Sequence, residues 1–324
     1  MSGKQTPRPP KKLTTDGLRF AISCRKAGFV NQGTAMIGER IKRARIAAGL
    51  SQRDAAKRSE LSAMAISKFE KGTATPTSKT LIRLSRALET PVEFFFRPDT
   101  ITLGKPEFRK RASLGKKDLD RIEADVLDQM ERFMELLALF PDPPTKPFEL
   151  PADLPEKINT IDDVEGIAIQ MRQAWNLGRN EISALIDAFK ERGILVFTTE
   201  IDGVKKFDGL ATEVNEFPIV VVGEQWPGDR QRFTLAHELG HLVLYGRIEG
   251  FSEKDKEKAC NRFAGAFLVP QETVIAELGR RRSDIEPKEL YQLKHKFGLS
   301  MAGWLYRALD VGVISATTFE KLIR

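Results

Sequence analysis

Cysteine and histidine are scarce in this chain of 324 residues, which has two of the first and three of the second. Cys24 and Cys260 lie far apart in no paired pattern, which excludes a disulfide framework and makes a reducing, cytoplasmic setting the expectation. No apolar run reaches the roughly 18 residues of a membrane span. The basic stretch near the N-terminus leads into no apolar core of the secretory kind, and no internal repeat occurs. A membrane partner is therefore not expected. With 41% hydrophobic and 30% charged residues, the composition also excludes a disordered or fibrous chain. The length suggests two globular units, at about 100–200 residues per domain.

The net charge of +7 conceals an asymmetry. Residues 1–117 carry 26 Lys and Arg against 9 Asp and Glu, a balance of +17, whereas residues 118–324 carry 26 against 36, a balance of −10. The basic end is the part expected to meet a polyanion, double-stranded DNA above all.

Five segments follow from the punctuation of the chain. Residues 1–36, rich in Pro, Lys, Arg and Gly, read as a basic, flexible arm. Residues 37–98 break into short helical pieces. Gly49 stops the first, and Ser51 and Ser62 can cap the second (Gln52 to Arg58) and the third, which ends at Gly72. Further pieces at Ser78 to Leu88 and Val92 to Phe96 complete an all-α unit. Residues 99–140 form a connecting segment in which Leu119, Ile122, Val126, Met130, Phe133, Leu137 and Phe140 make one stripe of a long amphipathic helix. Residues 141–159 are a Pro-rich linker, since prolines so crowded cannot stay helical. Residues 160–324 mix helices near Val164 to Trp175 and Glu181 to Arg192 with β-type runs at Ile194 to Thr199 and Phe217 to Val222. Helices return at Arg232 to Leu244 and Glu257 to Leu268, and a helical C-terminal part follows; this is an α+β domain.

Within 37–98 the second and third helices meet at a tight corner, the geometry that lays the later helix in the major groove. Ala63, Met64, Ser67 and Lys68 are the positions expected to face bases. Gln52 and Arg53 are expected to hold phosphates from the amino end of the preceding helix. Ala63 and Met64 bring no hydrogen-bond donors, so readout would lean on thymine methyls. Units of this kind commonly pair to match two half-sites, which leaves a homodimer open.

The other constellation is His237-Glu238-Leu239-Gly240-His241, an H-E-x-x-H pattern in an apolar helical frame. Residues four apart share a helix face, so both imidazoles can reach one zinc ion, with the glutamate placed toward a water beside it. A catalytic zinc usually takes three protein ligands. Glu257 is the nearest good carboxylate, at the start of a helical segment, with Glu249, Glu253 and Asp255 competing from the loop before it. Asn261, one turn below Glu257, could orient that carboxylate as an outer partner. Cys260 reads as a small buried residue and His295 as a polar-face residue. In this arrangement Glu238 would move the proton during peptide-bond hydrolysis. Tyr245 and Arg247 are candidate oxyanion donors.

Residues 37–98 resemble the Xre/Cro-type helix-turn-helix family through Leu50-Ser51-Gln52 and Ile66-Ser67-Lys68-Phe69-Glu70-Lys71-Gly72. Residues from about 160 to 324 resemble the ImmA/IrrE family of metallopeptidase-like, zincin-like domains. That resemblance rests on Phe207-Asp208-Gly209, on Arg232-Phe233-Thr234-Leu235-Ala236-His237-Glu238-Leu239-Gly240-His241, and on Asn261 to Pro270. It implies His237, His241 and Glu257 as zinc ligands and Glu238 as catalytic acid/base. Ala259-Cys260 stands where the family often has Gln-Ala, and Tyr245 where histidine is common. The resemblance implies a transcriptional regulator whose peptidase acts on a partner repressor or on itself. The alternative is an antitoxin-like repressor of a toxin–antitoxin or phage-related locus, which binds DNA and a partner protein such as a toxin and keeps the metal site as a vestige or a structural element. Glu238 favours the first reading, because a structural site needs no base beside its ligands.

Overall fold

The computed structural model describes residues 33–97, 114–141, 145–200, 207–214 and 217–324. Most of the basic arm, the stretch 98–113 and the prolines at 143 and 144 lie outside the described residues. Two compact units emerge. One comprises the described residues up to 97 together with 130–141 and 145–147, and the other comprises 114–129 and the residues from 148 onward.

The first unit is built from α1 (Gly33–Ala47), α2 (Gln52–Ser59), α3 (Ala63–Glu70), α4 (Ser78–Ala87) and a 3-10 turn at Val92–Phe96. The first helix begins at Gly33, inside the segment expected to be arm. Ser51 caps α2 in a reciprocal box with Asp54, and Ser62 caps α3 by accepting from the Ala65 amide. Between them Glu60 adopts left-handed backbone (φ 52°), the bend that turns α2 into α3. Ile41, Ala44, Ala55, Ile66, Leu81, Leu84 and Phe95 fill the core. Arg40 and Arg43 both pair with Glu131, and Arg40 and Glu131 are buried. Glu131 lies on α5 (Lys116–Leu137), whose apolar stripe is buried at Leu119, Ile122, Val126, Met130 and Leu137. Phe140 lies beyond the helix and is exposed.

The second unit continues with α6 (Asp163–Ala174), α7 (Leu185–Glu191), β1 (Leu195–Thr199), β2 (Gly209–Val214), β3 (Phe217–Gly223), α8 (Gly228–Leu244) and α9 (Glu253–Leu268). The expected helix from Glu181 shrinks to the seven residues of α7. The sheet runs β1-β3-β2, with β1 parallel and β2 antiparallel to β3. The central strand is a continuous apolar run, Ile219 to Val222, buried on both faces. The strand β2 gave no clear sequence signal, because its Gly209, Thr212 and Glu213 break the alternation. Gly209 is required there: a Cβ would lie 2.4 Å from Thr234 Cγ2 on α8 and 2.8 Å from Val221 O. Asp208 before it pairs with Arg230, which stacks on Trp226 at 3.6 Å.

Helices α10 (Gln271–Leu278), α11 (Pro287–Phe297), α12 (Met301–Asp310) and α13 (Ala316–Leu322) finish the unit. One core spans α6, α8, α9 and the C-terminal helices. Buried cations fix α9 within it. Arg307 grips Glu165 with two bonds of 2.7 and 3.0 Å. Arg172, which burial pushes down to about 10, donates to the Phe267 carbonyl at the end of α9.

Candidate metal centre

Helix α8 presents His237 and His241 on one face, while Leu235, Ala236, Leu239 and Val243 sink into the core on the others. The two helices α8 and α9 pack against each other, and Gly240 lies where they meet. A Cβ at Gly240 would stand 3.1 Å from Phe263 Cδ1 and 3.3 Å from Cys260 Cα. The glycine lets α9 approach closely enough to reach the histidines.

Among the described residues, His237, His241 and Glu257 form a group of metal-competent donors whose ligating atoms all lie within 4.8 Å of one another. The two Nε2 atoms are 3.0 Å apart. Glu257 Oε2 stands 3.4 Å from His237 Nε2, and Oε1 stands 3.7 Å from His241 Nε2. Two ligands about 2.1 Å from a tetrahedral zinc are separated by roughly 3.4 Å. The three measured spacings bracket that value, so the donor set fits a small tetrahedral ion.

The far nitrogens of both rings are held as well. His237 Nδ1 lies 2.9 Å from Asn261 Oδ1, and His241 Nδ1 lies 3.0 Å from Cys260 Sγ. Burial pulls the His237 imidazole down, but Glu257, Glu238 and Asn261 outweigh it and leave the ring above its ordinary value. Glu238 is buried on the same helix, at 6% exposure.

Several expectations change in detail. Asn261, expected as an outer partner of Glu257, contacts His237. Helix α9 starts at Glu253, not at Glu257, so Glu257 sits one turn inside it and Glu253 and Asp255 lie in its first turn rather than in a loop. The overlooked signal is Ser252 followed three residues later by Asp255, a capping pattern in which Ser252 accepts from the Asp255 amide. Glu253 and Asp255 bond to Lys256 and Lys258. Cys260 is fully buried, as expected, yet touches His241. Tyr245 ends α8 with its side chain 70% exposed, and Arg247 donates to the Val243 carbonyl. His295 packs edge-on to Tyr291 at 4.4 Å, outside the donor group.

In the first unit, Met64 and Lys68 are exposed on α3, Ser67 is half-buried, and Ala63 packs partly against the core. Arg53 is exposed. Gln52 is half-buried and donates to Glu70 Oε2 at 2.7 Å, beside the Arg45–Glu70 pair.

Comparison with known proteins agrees with both halves of this description. Residues 41–95 match the helix-turn-helix family model, and residues 189–309 match the M78 peptidase model described as IrrE N-terminal-like domain. A radiation response metalloprotease IrrE of Deinococcus radiodurans is 38% identical over 77 residues, 20% of this chain and 23% of that protein. The protein of the same name from Deinococcus deserti is 31% identical over 105 residues, 25% of this chain and 37% of that protein. The chain thus matches well under half the length of either relative. No helix among the described residues is long and apolar enough to cross a membrane. The chain joins a helix-turn-helix DNA-binding domain to an IrrE N-terminal-like domain of the M78 metallopeptidase family.

Proposed function

We propose that this chain is a DNA-binding transcriptional regulator whose M78-type domain is a zinc-dependent peptidase, acting on a partner repressor or on the chain itself. One observation carries the reading: two imidazole nitrogens and a carboxylate converge at the spacing of a tetrahedral ion, beside a buried glutamate.

His237, His241 and Glu257 would hold the ion. When bound, zinc supplies Lewis-acid polarisation of the scissile carbonyl and makes water acidic enough to lose a proton near neutrality. Glu238, following His237 in the motif, accepts that proton on a carboxylate oxygen and delivers it to the departing amine. Asn261 Oδ1 accepts from His237 Nδ1–H and so keeps the Nε2 lone pair directed at the ligand group. In the first unit, Met64, Ser67 and Lys68 face the major groove and Arg53 holds a phosphate. Gln52 supports this surface through its bond to Glu70. The names carried by the Deinococcus relatives support a metalloprotease for the matched segment.

The test combines metal analysis of the purified protein with cleavage assays on proteins encoded beside its gene. Glu238→Gln is expected to keep its zinc and to lose about 10²- to 10⁴-fold in cleavage rate. Zinc bound by both forms, with no substrate cut by either, would transfer the assignment to an antitoxin-like, binding-only repressor.

A further inference from the structure

Two neighbouring residues of α9 contact the two histidines in parallel. Asn261 reaches Nδ1 of His237 and Cys260 reaches Nδ1 of His241, at 2.9 and 3.0 Å. The second contact depends on Gly240, whose missing Cβ would otherwise stand 3.3 Å from Cys260 Cα and 3.4 Å from Cys260 O. Cys260 has no exposure to solvent, and its sulfur lies against Nδ1 while Nε2 of the same ring faces His237 and Glu257. The thiol therefore touches the ring without belonging to the donor group.

We propose that Cys260 is the positioning residue of His241, a thiol that fixes the imidazole so that its Nε2 meets the metal. The inference rests on reading His237, His241 and Glu257 as a metal site. When Nε2 gives its lone pair to an ion, the ring proton resides on Nδ1 and donates to Sγ. Outer partners of this kind orient a ligand and raise its basicity. Sulfur is a weak acceptor, so it orients more than it polarises. The amide oxygen of Asn261 is a stronger acceptor, which gives the two histidines unequal support.

The test uses the full chain and three variants. Cys260→Ala removes the contact, Cys260→Val fills the space without a hydrogen-bonding group, and Cys260→Ser preserves a donor and acceptor. Zinc affinity is measured by competition with a chromophoric chelator. Ala and Val are expected to bind about tenfold more weakly, the low end for outer-shell partners, with Ser close to wild type. Cobalt-loaded wild type is expected to show no sulfur-to-metal charge-transfer band. The ring nitrogens of the three histidines are also followed by NMR in metal-free protein at mildly alkaline pH. There the His241 Nδ1 resonance is expected to move in Ala and Val and to stay near its wild-type position in Ser. Wild-type affinity in all three variants overturns the proposal, as does a loss in Ser equal to that in Ala. A charge-transfer band overturns it by making the thiol a ligand. If wild type binds no zinc, the metal-site reading fails by itself, and an unmoved His241 resonance in Ala and Val then overturns the positioning role separately.

Discussion

Replacing Glu165 with alanine tests whether the seat of α9 rests on buried charge. Glu165 accepts two bonds from Arg307, at 2.7 and 3.0 Å, and one from the Gln271 amide at 3.1 Å, and Arg262 Nε lies 3.3 Å away. Arg307 has only 1% of its side chain exposed. Removing one partner of a buried ion pair costs about 3–5 kcal/mol, because the other charge stays behind unmatched. Asp310 at 3.4 Å and the Val269 carbonyl at 3.0 Å retain part of the attraction on Arg307, which favours the low end. The stranded Gln271 N–H adds about 1 kcal/mol. A loss of about 4 kcal/mol corresponds to a fall of roughly 8–16 °C for a unit of this size. Calorimetry of Glu165→Ala against wild type measures it. The paired replacement Glu165→Leu with Arg307→Met is expected to recover most of the loss, since no charge is left buried without its partner. A single variant that loses under about 1 kcal/mol, or a pair as unstable as the single, would refute the reasoning and make the site one of simple packing.

Other consequences are smaller and separately measurable. Gly240→Ala gains about 1 kcal/mol of helix propensity but forces overpacking of about 1–3 kcal/mol against Phe263 and Cys260, so its melting temperature should fall rather than rise. Asp163 accepts from the Thr160 and Asn159 amides, which hold its carboxyl below the usual aspartate range. A lowered folded value means stability present above the unfolded pKa and lost as pH falls through the folded one. The gap in melting temperature between wild type and Asp163→Ala should therefore be constant at neutrality and close below about pH 4. Arg53→Ala should weaken DNA binding evenly across sequences and lower the slope of log affinity against log salt by about 0.9. Met64→Ala should remove any preference of the protein for thymine over uracil at its selected site, because Met64 offers only apolar contact to the methyl group.

The parts legible in the sequence are those whose physics is local. Ser51 and Ser62 announce their helices because a cap bonds to an amide three residues away. His237 and His241 declare a common face because a helix returns to the same side every 3.6 residues. The β3 run Ile219 to Val222 reads as a strand because burial on both faces demands an unbroken apolar stretch. The edge strand β2 carries a weaker signal because Thr212 and Glu213 break its alternation and Gly209 answers to a neighbour far along the chain, Thr234 on α8.

The same distinction governs the outer half of the metal centre. On a helix wheel Asn261 belongs with Glu257, four residues earlier, and the periodicity pairs them. The crossing of α8 over α9 brings that face to His237, with Glu257 at 3.4 Å from Nε2 and Asn261 at 2.9 Å from Nδ1, and Gly240 allows the close approach. A periodic pattern records which residues share a face, whereas the partner of that face is set by the distance of closest approach. At this centre one glycine allows that distance, and at it Cys260 meets His241 while Asn261 meets His237.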